Sequence, residues 1–124
     1  MLDLIIKNGL CYLDKDLKDQ DIAIKDGKII KIGKIDSEAK KIFDAKGLTV
    51  LPGCIDTQTH FREPGSTDTE DLHSGSRAAI VGGITSVFEM PNTNPPTSTK
   101  VEFQKKLDLA KNRMYCNYAF YFGA

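Results

Sequence analysis

The hydrophobic pattern changes period at Pro52-Gly53, and this boundary limits what the chain can fold into. Upstream of it, short apolar runs are punctuated by turn dipeptides. Asp21-Ile22-Ala23-Ile24-Lys25 alternates apolar and polar residues, Asp26-Gly27 turns, and Lys28-Ile29-Ile30-Lys31-Ile32 returns, which predicts an antiparallel hairpin. Leu4-Ile5-Ile6 runs into Asn8-Gly9, predicting a second strand that ends in a tight turn. Phe43, Lys46-Gly47 and Leu48-Thr49-Val50-Leu51 add another strand and turn. Residues 1–52 therefore read as strands of a small β-domain.

Downstream, strands alternate with helices. Cys54 to His60 reads as a strand, and Thr67 with Glu70 three positions later predicts a capping box. The helix that follows would place Leu72, Ser76, Ala79 and Ile80 on one face and stop at Gly82-Gly83. Ile84 to Met90 is an apolar strand, as a doubly covered parallel strand would be. Thr99 and Glu102 predict a second cap, before a helix with Phe103, Leu107, Ala110 and Met114 at helical spacing. The lysines of residues 100–111 are expected on its solvated face. Tyr115 to Phe122 is a third strand. A βαβαβ run calls for an α/β fold with a parallel sheet and right-handed crossovers. A complete (β/α)8 barrel takes roughly 200 residues or more, so residues 53–124 read as the truncated opening of one.

Composition excludes several classes of function. Seventeen basic residues balance seventeen acidic ones, so no net field favours nucleic acid or an anionic membrane. The interspersed lysines and acids of residues 100–111 make no nucleic-acid patch. No apolar stretch approaches the ~18 residues of a membrane span, and the N-terminus has no signal-peptide pattern. The three cysteines, Cys11, Cys54 and Cys116, are too few and too scattered for a disulfide framework. They read as small buried hydrophobes in a reducing, cytoplasmic protein.

The polar residues that carry chemistry collect after the first and second strands of the second region. Gln58 and His60 are two apart on one strand, so they project on the same side. An imidazole there can hold a metal, whereas the neutral amide oxygen of Gln58 is a poorer zinc ligand. Arg62, two residues further, has the planar fork that grips a carboxylate in bidentate fashion. Asn92, in Met90-Pro91-Asn92-Thr93-Asn94-Pro95-Pro96, emerges at the same carboxyl-terminal end of a parallel sheet. Its amide can donate and accept at once. Asp56 reads as an acid capping local N–H groups, His73 as exposed, and Asn94 as a turn residue. The aromatics from Tyr115 to Phe122 read as core or interface.

Phe61-Arg62-Glu63-Pro64-Gly65 with Met90-Pro91-Asn92-Thr93-Asn94-Pro95 resembles the amidohydrolase superfamily and, within it, the dihydroorotases. Ser74 to Val87 is similar to that family's first helix and second strand. The resemblance implies a zinc-dependent enzyme with one or two ions. It would hydrolyse the ring amide of dihydroorotate, reversibly, to carbamoyl-aspartate in pyrimidine biosynthesis, with an aspartate moving the proton to the leaving nitrogen. It assigns His60, and less securely Gln58, to the metal, and Arg62 and Asn92 to the substrate. The catalytic aspartate and the remaining ligands would lie beyond these residues, so the fragment alone should be inactive. Gln58, where the family has a histidine, keeps open a non-catalytic scaffold that associates with aspartate carbamoyltransferase. A homodimer is a further expectation. Another cyclic amidohydrolase, acting on allantoin or a hydantoin, is a third possibility, and Arg62 counts against it.

Overall fold

The computed structural model describes residues 1–123, which form two compact units divided between Pro52 and Gly53. Unit 1 is a five-stranded sheet of β1 (Leu2–Leu13), β2 (Asp16–Lys25), β3 (Lys28–Gly33), β4 (Ala39–Asp44) and β5 (Thr49–Val50). The strand order is β3-β2-β1-β4, with β5 beside the second half of β1. The β2–β3 hairpin forms as expected: Asp26 and Gly27 take φ of 51° and 70°, which match the twist of the paired strands. Asn8-Gly9 does not end a strand. β1 runs through it, and its pairing with β2 shifts register between Ile6 and Gly9. Asn8 turns to φ 59°, and its N–H donates to Asp21 Oδ1 at 3.0 Å. A side-chain acceptor on the neighbouring strand thus converts the expected turn into a bulge. Strands β4 and β5 run parallel to β1, a pairing that turn dipeptides could not announce. Ile5, Ala23 and Ile35 form the core of this unit.

In unit 2 the order is β6 (Cys54–Thr59), α1 (Leu72–Val81), β7 (Ile84–Glu89), α2 (Lys100–Ala110) and β8 (Asn117–Phe120). The three strands form one parallel sheet in the order β6-β7-β8. Phe61, Leu72, Val87, Ala110 and Cys116 are its buried core. Cys11 and Cys116 are buried as expected, while Cys54 is exposed. Thr99 caps α2, its hydroxyl accepting from Glu102 N at 3.2 Å.

Two further expectations fail here. The first helix begins at Leu72, four residues after the expected start, with Asp71 as N-cap. Asp71 accepts from Ser74 N and Ser74 Oγ accepts from Asp71 N, so the capping box lies one turn later than Thr67-Glu70 suggested. Ser66 to Glu70 is instead a turn, in which Ser66 O accepts from Thr69 N. Second, Lys106 is not on a solvated face. It is 1% exposed and paired with Glu89, itself 0% exposed. Among the described residues no helix is long and apolar enough to cross a membrane.

Candidate functional site

The carboxyl-terminal ends of β6 and β7 lead into two loops, one through His60 to Ser66 and one through Met90 to Thr97. Thr59 O accepts from Met90 N at 2.9 Å, which ties the two loops together where they leave the sheet. Pro64 O accepts from Asn94 N at 3.0 Å, which ties them again further out. Between these ties lies a pocket of about 120 Å³ lined by Phe61, Arg62, Pro64 and Ser66 from one loop and Asn92, Thr93 and Asn94 from the other. Arg62 and Asn92, read separately from the sequence, therefore line one cavity.

His60 and Asn92 meet directly: His60 Nδ1 lies 2.9 Å from Asn92 Oδ1. The amide oxygen can only accept, so this bond needs the proton on Nδ1, and the neutral tautomer that makes it carries its lone pair on Nε2. An imidazole oriented through its other nitrogen in this way is the usual form of a metal ligand, so His60 fits a metal. Gln58 is exposed on β6, and its backbone N–H donates to Asp56 Oδ1 at 2.9 Å. Asp56 thus caps a local N–H. Among the described residues no three His, Cys, Asp or Glu side chains converge on a point that could hold an ion, so His60 would be one part of a larger ligand set.

Arg62 is exposed and makes no ion pair among the described residues. Its neighbour Glu63 is engaged elsewhere. The Glu63 carboxylate accepts two bonds from Arg113, at 2.7 and 3.0 Å, and one from Leu72 N at 2.9 Å. Glu63 thereby anchors its loop to the start of α1 and to the residues after α2, and leaves the Arg62 guanidinium free. Phe61 packs beneath, against Gly75 of α1. A Cβ at position 75 would lie 2.5 Å from Phe61 Cδ1, so only glycine lets the ring seat there.

Sequence reasoning missed the groups behind the loops. The Lys106 ammonium is in ion-pair contact with Glu89 Oε2 and also donates to Met90 O at 3.1 Å and to Thr97 Oγ1 at 3.4 Å. Its ammonium nitrogen sits 5.2 Å from the centre of the Phe120 ring. Burial pushes the Glu89 carboxyl up to about 7, although Lys106, His60 and Arg62 all pull the other way. The Glu89 oxygens take no further hydrogen bond among the described residues. An acid ending a strand and a lysine 17 positions later carry no periodic signal that would pair them. The one signal that could have found them is the two-residue spacing of Val87 and Glu89, which puts both on one side of β7, where both are buried.

Known proteins show the same organisation. The chain is 46% identical over 113 residues to the allantoinase of Escherichia coli O1:K1, and 45% identical to that of strain E24377A. Each match takes in 90% of this chain and 25% of the relative, so the chain spans about a quarter of the length of these enzymes. The L-hydantoinase (dihydropyrimidinase) of Arthrobacter aurescens superposes with a TM-score of 0.90 at 35% identity, over 99% of this chain and 28% of that one. A D-hydantoinase from Thermus sp. gives 0.81 at 29% identity, over 98% and 27%. These relatives are allantoinases and hydantoinases rather than dihydroorotases. The amidohydrolase family model matches residues 49–124, which include both loops and all three parallel strands, and the chain belongs to the amidohydrolase family.

Proposed function

We propose that the protein containing this chain hydrolyses the ring amide of a small cyclic ureide, of the allantoin or hydantoin class. The observation that carries this reading is the single pocket formed by Arg62 and Asn92, with Asn92 bonded to His60 at the carboxyl-terminal ends of parallel strands. The likeness to allantoinases and hydantoinases supports the substrate class. A zinc ion held in part by His60 would supply Lewis-acid activation of the amide and of water. Asn92 Oδ1 fixes the His60 ring, and its Nδ2 remains to donate to a ring carbonyl. The Arg62 fork donates to a second oxygen, which orients the ring. The rest of the barrel would supply the remaining ligands and the proton-transferring aspartate.

Dihydroorotate is the second reading, and the unpaired Arg62 in Phe61-Arg62-Glu63-Pro64-Gly65 favours it, because that substrate carries a carboxylate. The test is an assay of the intact protein on allantoin, hydantoin and dihydroorotate side by side, with Arg62→Ala in parallel. The cyclic-ureide reading expects turnover of allantoin or hydantoin. Turnover of dihydroorotate alone, lost at least about tenfold in kcat/KM on Arg62→Ala, would replace it with dihydroorotase.

A further inference from the structure

We propose that Lys106 is a positioning residue for the loop from Met90 to Thr97, and that it sets how Asn92 is presented to His60 and to the substrate. The substrate half of this statement rests on the function proposed above; the His60 half does not. One ammonium group grips both ends of the loop: it donates to Met90 O where the loop leaves β7 and to Thr97 Oγ1 where the loop returns. Thr97 N in turn donates to Pro91 O at 2.9 Å, closing the loop on itself, and Thr97 O accepts from Gly123 N at 2.8 Å. Asn92 lies inside this closed segment, and its Oδ1 accepts from His60.

Stability alone does not account for a lysine here. A fully buried ion pair can often be exchanged for apolar side chains of similar volume with little loss, because desolvation cancels most of the attraction. The side chains introduced by Glu89→Met and Lys106→Met would fill the same space. They could not donate to Met90 O or Thr97 Oγ1, and those two bonds are what the ammonium adds. Glu89 aims the ammonium, and both groups are shielded from solvent.

The experiment compares the intact wild-type protein with the double variant Glu89→Met/Lys106→Met. It reads the 15N resonance of His60 Nδ1 and the denaturation midpoint on metal-free protein, and kcat/KM on hydantoin and allantoin with zinc supplied. We expect the double variant to fold with a midpoint that falls less than that of Lys106→Met alone, and the Nδ1 resonance to move toward that of an imidazole exchanging between tautomers. Turnover should fall by about 10²-fold, as misplacement of a binding group by about 1 Å can produce. A His60 resonance that stays in place in the folded double variant overturns the proposal. If the wild-type protein turns over no cyclic ureide, the proposed function fails and the His60 resonance alone decides this inference. If the double variant does not fold, Thr97→Val removes one of the two grips. A smaller movement of the same resonance in the same direction is then expected, and none would overturn the proposal.

Discussion

The two units bury different kinds of residue. Unit 1 buries Ile5, Cys11, Ile22, Ala23, Ile35 and Ala45, and its carboxylates stay nearer solvent, where Asp3, Asp21 and Asp44 accept from turn N–H groups. Unit 2 buries Glu63, Glu89 and Lys106 with Ser76 and Thr97, beside its apolar core. A sheet needs only an apolar face and satisfied edges. Loops that present polar side chains need something rigid behind them, and their backbone carbonyls and N–H groups must find partners away from the sheet ladder. Charge is buried where the loops are held, and the comparison separates residues that hold a fold from residues that hold a site.

The largest effect should come from breaking the buried pair on one side only. Lys106→Met leaves Glu89 buried with no partner, at a cost of about 3–5 kcal/mol, read from denaturant unfolding or from loss of amide protection in β7 and α2. A loss near that of a surface substitution would mean that the pair is not buried in solution. The pH dependence of this pair has a definite sign. The folded carboxyl of Glu89 is raised from its ordinary 4.5 to about 7, so folding binds a proton more tightly. Its contribution to stability is fully present below 4.5 and is lost as pH rises toward 7. Asp21 in unit 1 should behave oppositely. Burial works against its charge, but the N–H groups of Asn8 and Ile35, with Lys7 and Lys34, outweigh that and hold its carboxyl below 3.8. Its contribution is present above 3.8 and is lost as pH falls through the depressed value. Protection of β7 that rises with pH between 4.5 and 7 would contradict the assignment for Glu89.

Next in size is Gly75→Ala. The added methyl would meet the Phe61 ring, and overpacking of this kind costs about 1–3 kcal/mol. The displacement should pass to the neighbouring Arg62, so substrate affinity is expected to fall along with stability. An unchanged KM in a destabilised protein would confine Phe61 to the core.

These contrasts also explain what the sequence could and could not disclose. Alternation and turn dipeptides made the β2–β3 hairpin and the βαβαβ order readable, because both are local signals of fixed period. The motifs placed Gln58, His60, Arg62 and Asn92 in chain order, and parallel strands carried His60, Arg62 and Asn92 to the same end of the sheet. Parallel pairing of β4 and β5 with β1 was not readable, since non-local partners leave no dipeptide mark. The start of α1 was misplaced because two cap patterns compete at Thr67-Glu70 and Asp71-Ser74. Glu63, whose carboxylate meets Leu72 N, helps decide between them from across the fold. Lys106 was misread for a related reason. A lysine among lysines looks solvated until a buried acid on another strand is known to face it.

In unit 1 the effects should be smaller. Asp21→Ala strands the N–H groups of Asn8 and Ile35, of which Ile35 is buried, and should cost about 1–2 kcal/mol. It should also loosen amide protection at the β1 bulge while leaving the hairpin of β2 and β3 intact. If instead all of unit 1 loses protection together, Asp21 is part of its cooperative core, and the distinction between an apolar core and polar edges would need redrawing.

The smallest expected effect provides the control. Lys18 lies 3.5 Å from Asp14, but Asp14 is 92% exposed, so water already solvates most of its charge. Holding two side chains in one geometry costs entropy that the screened attraction hardly offsets, so Lys18→Ala should change stability by no more than about 0.5 kcal/mol. Raising the salt concentration should remove what little there is, since exposed charges are screened over about 10 Å or less. A loss above about 1 kcal/mol would mean that unit 1 depends on surface charge after all. Burial would then no longer be what separates the ion pairs that matter in this chain from those that do not.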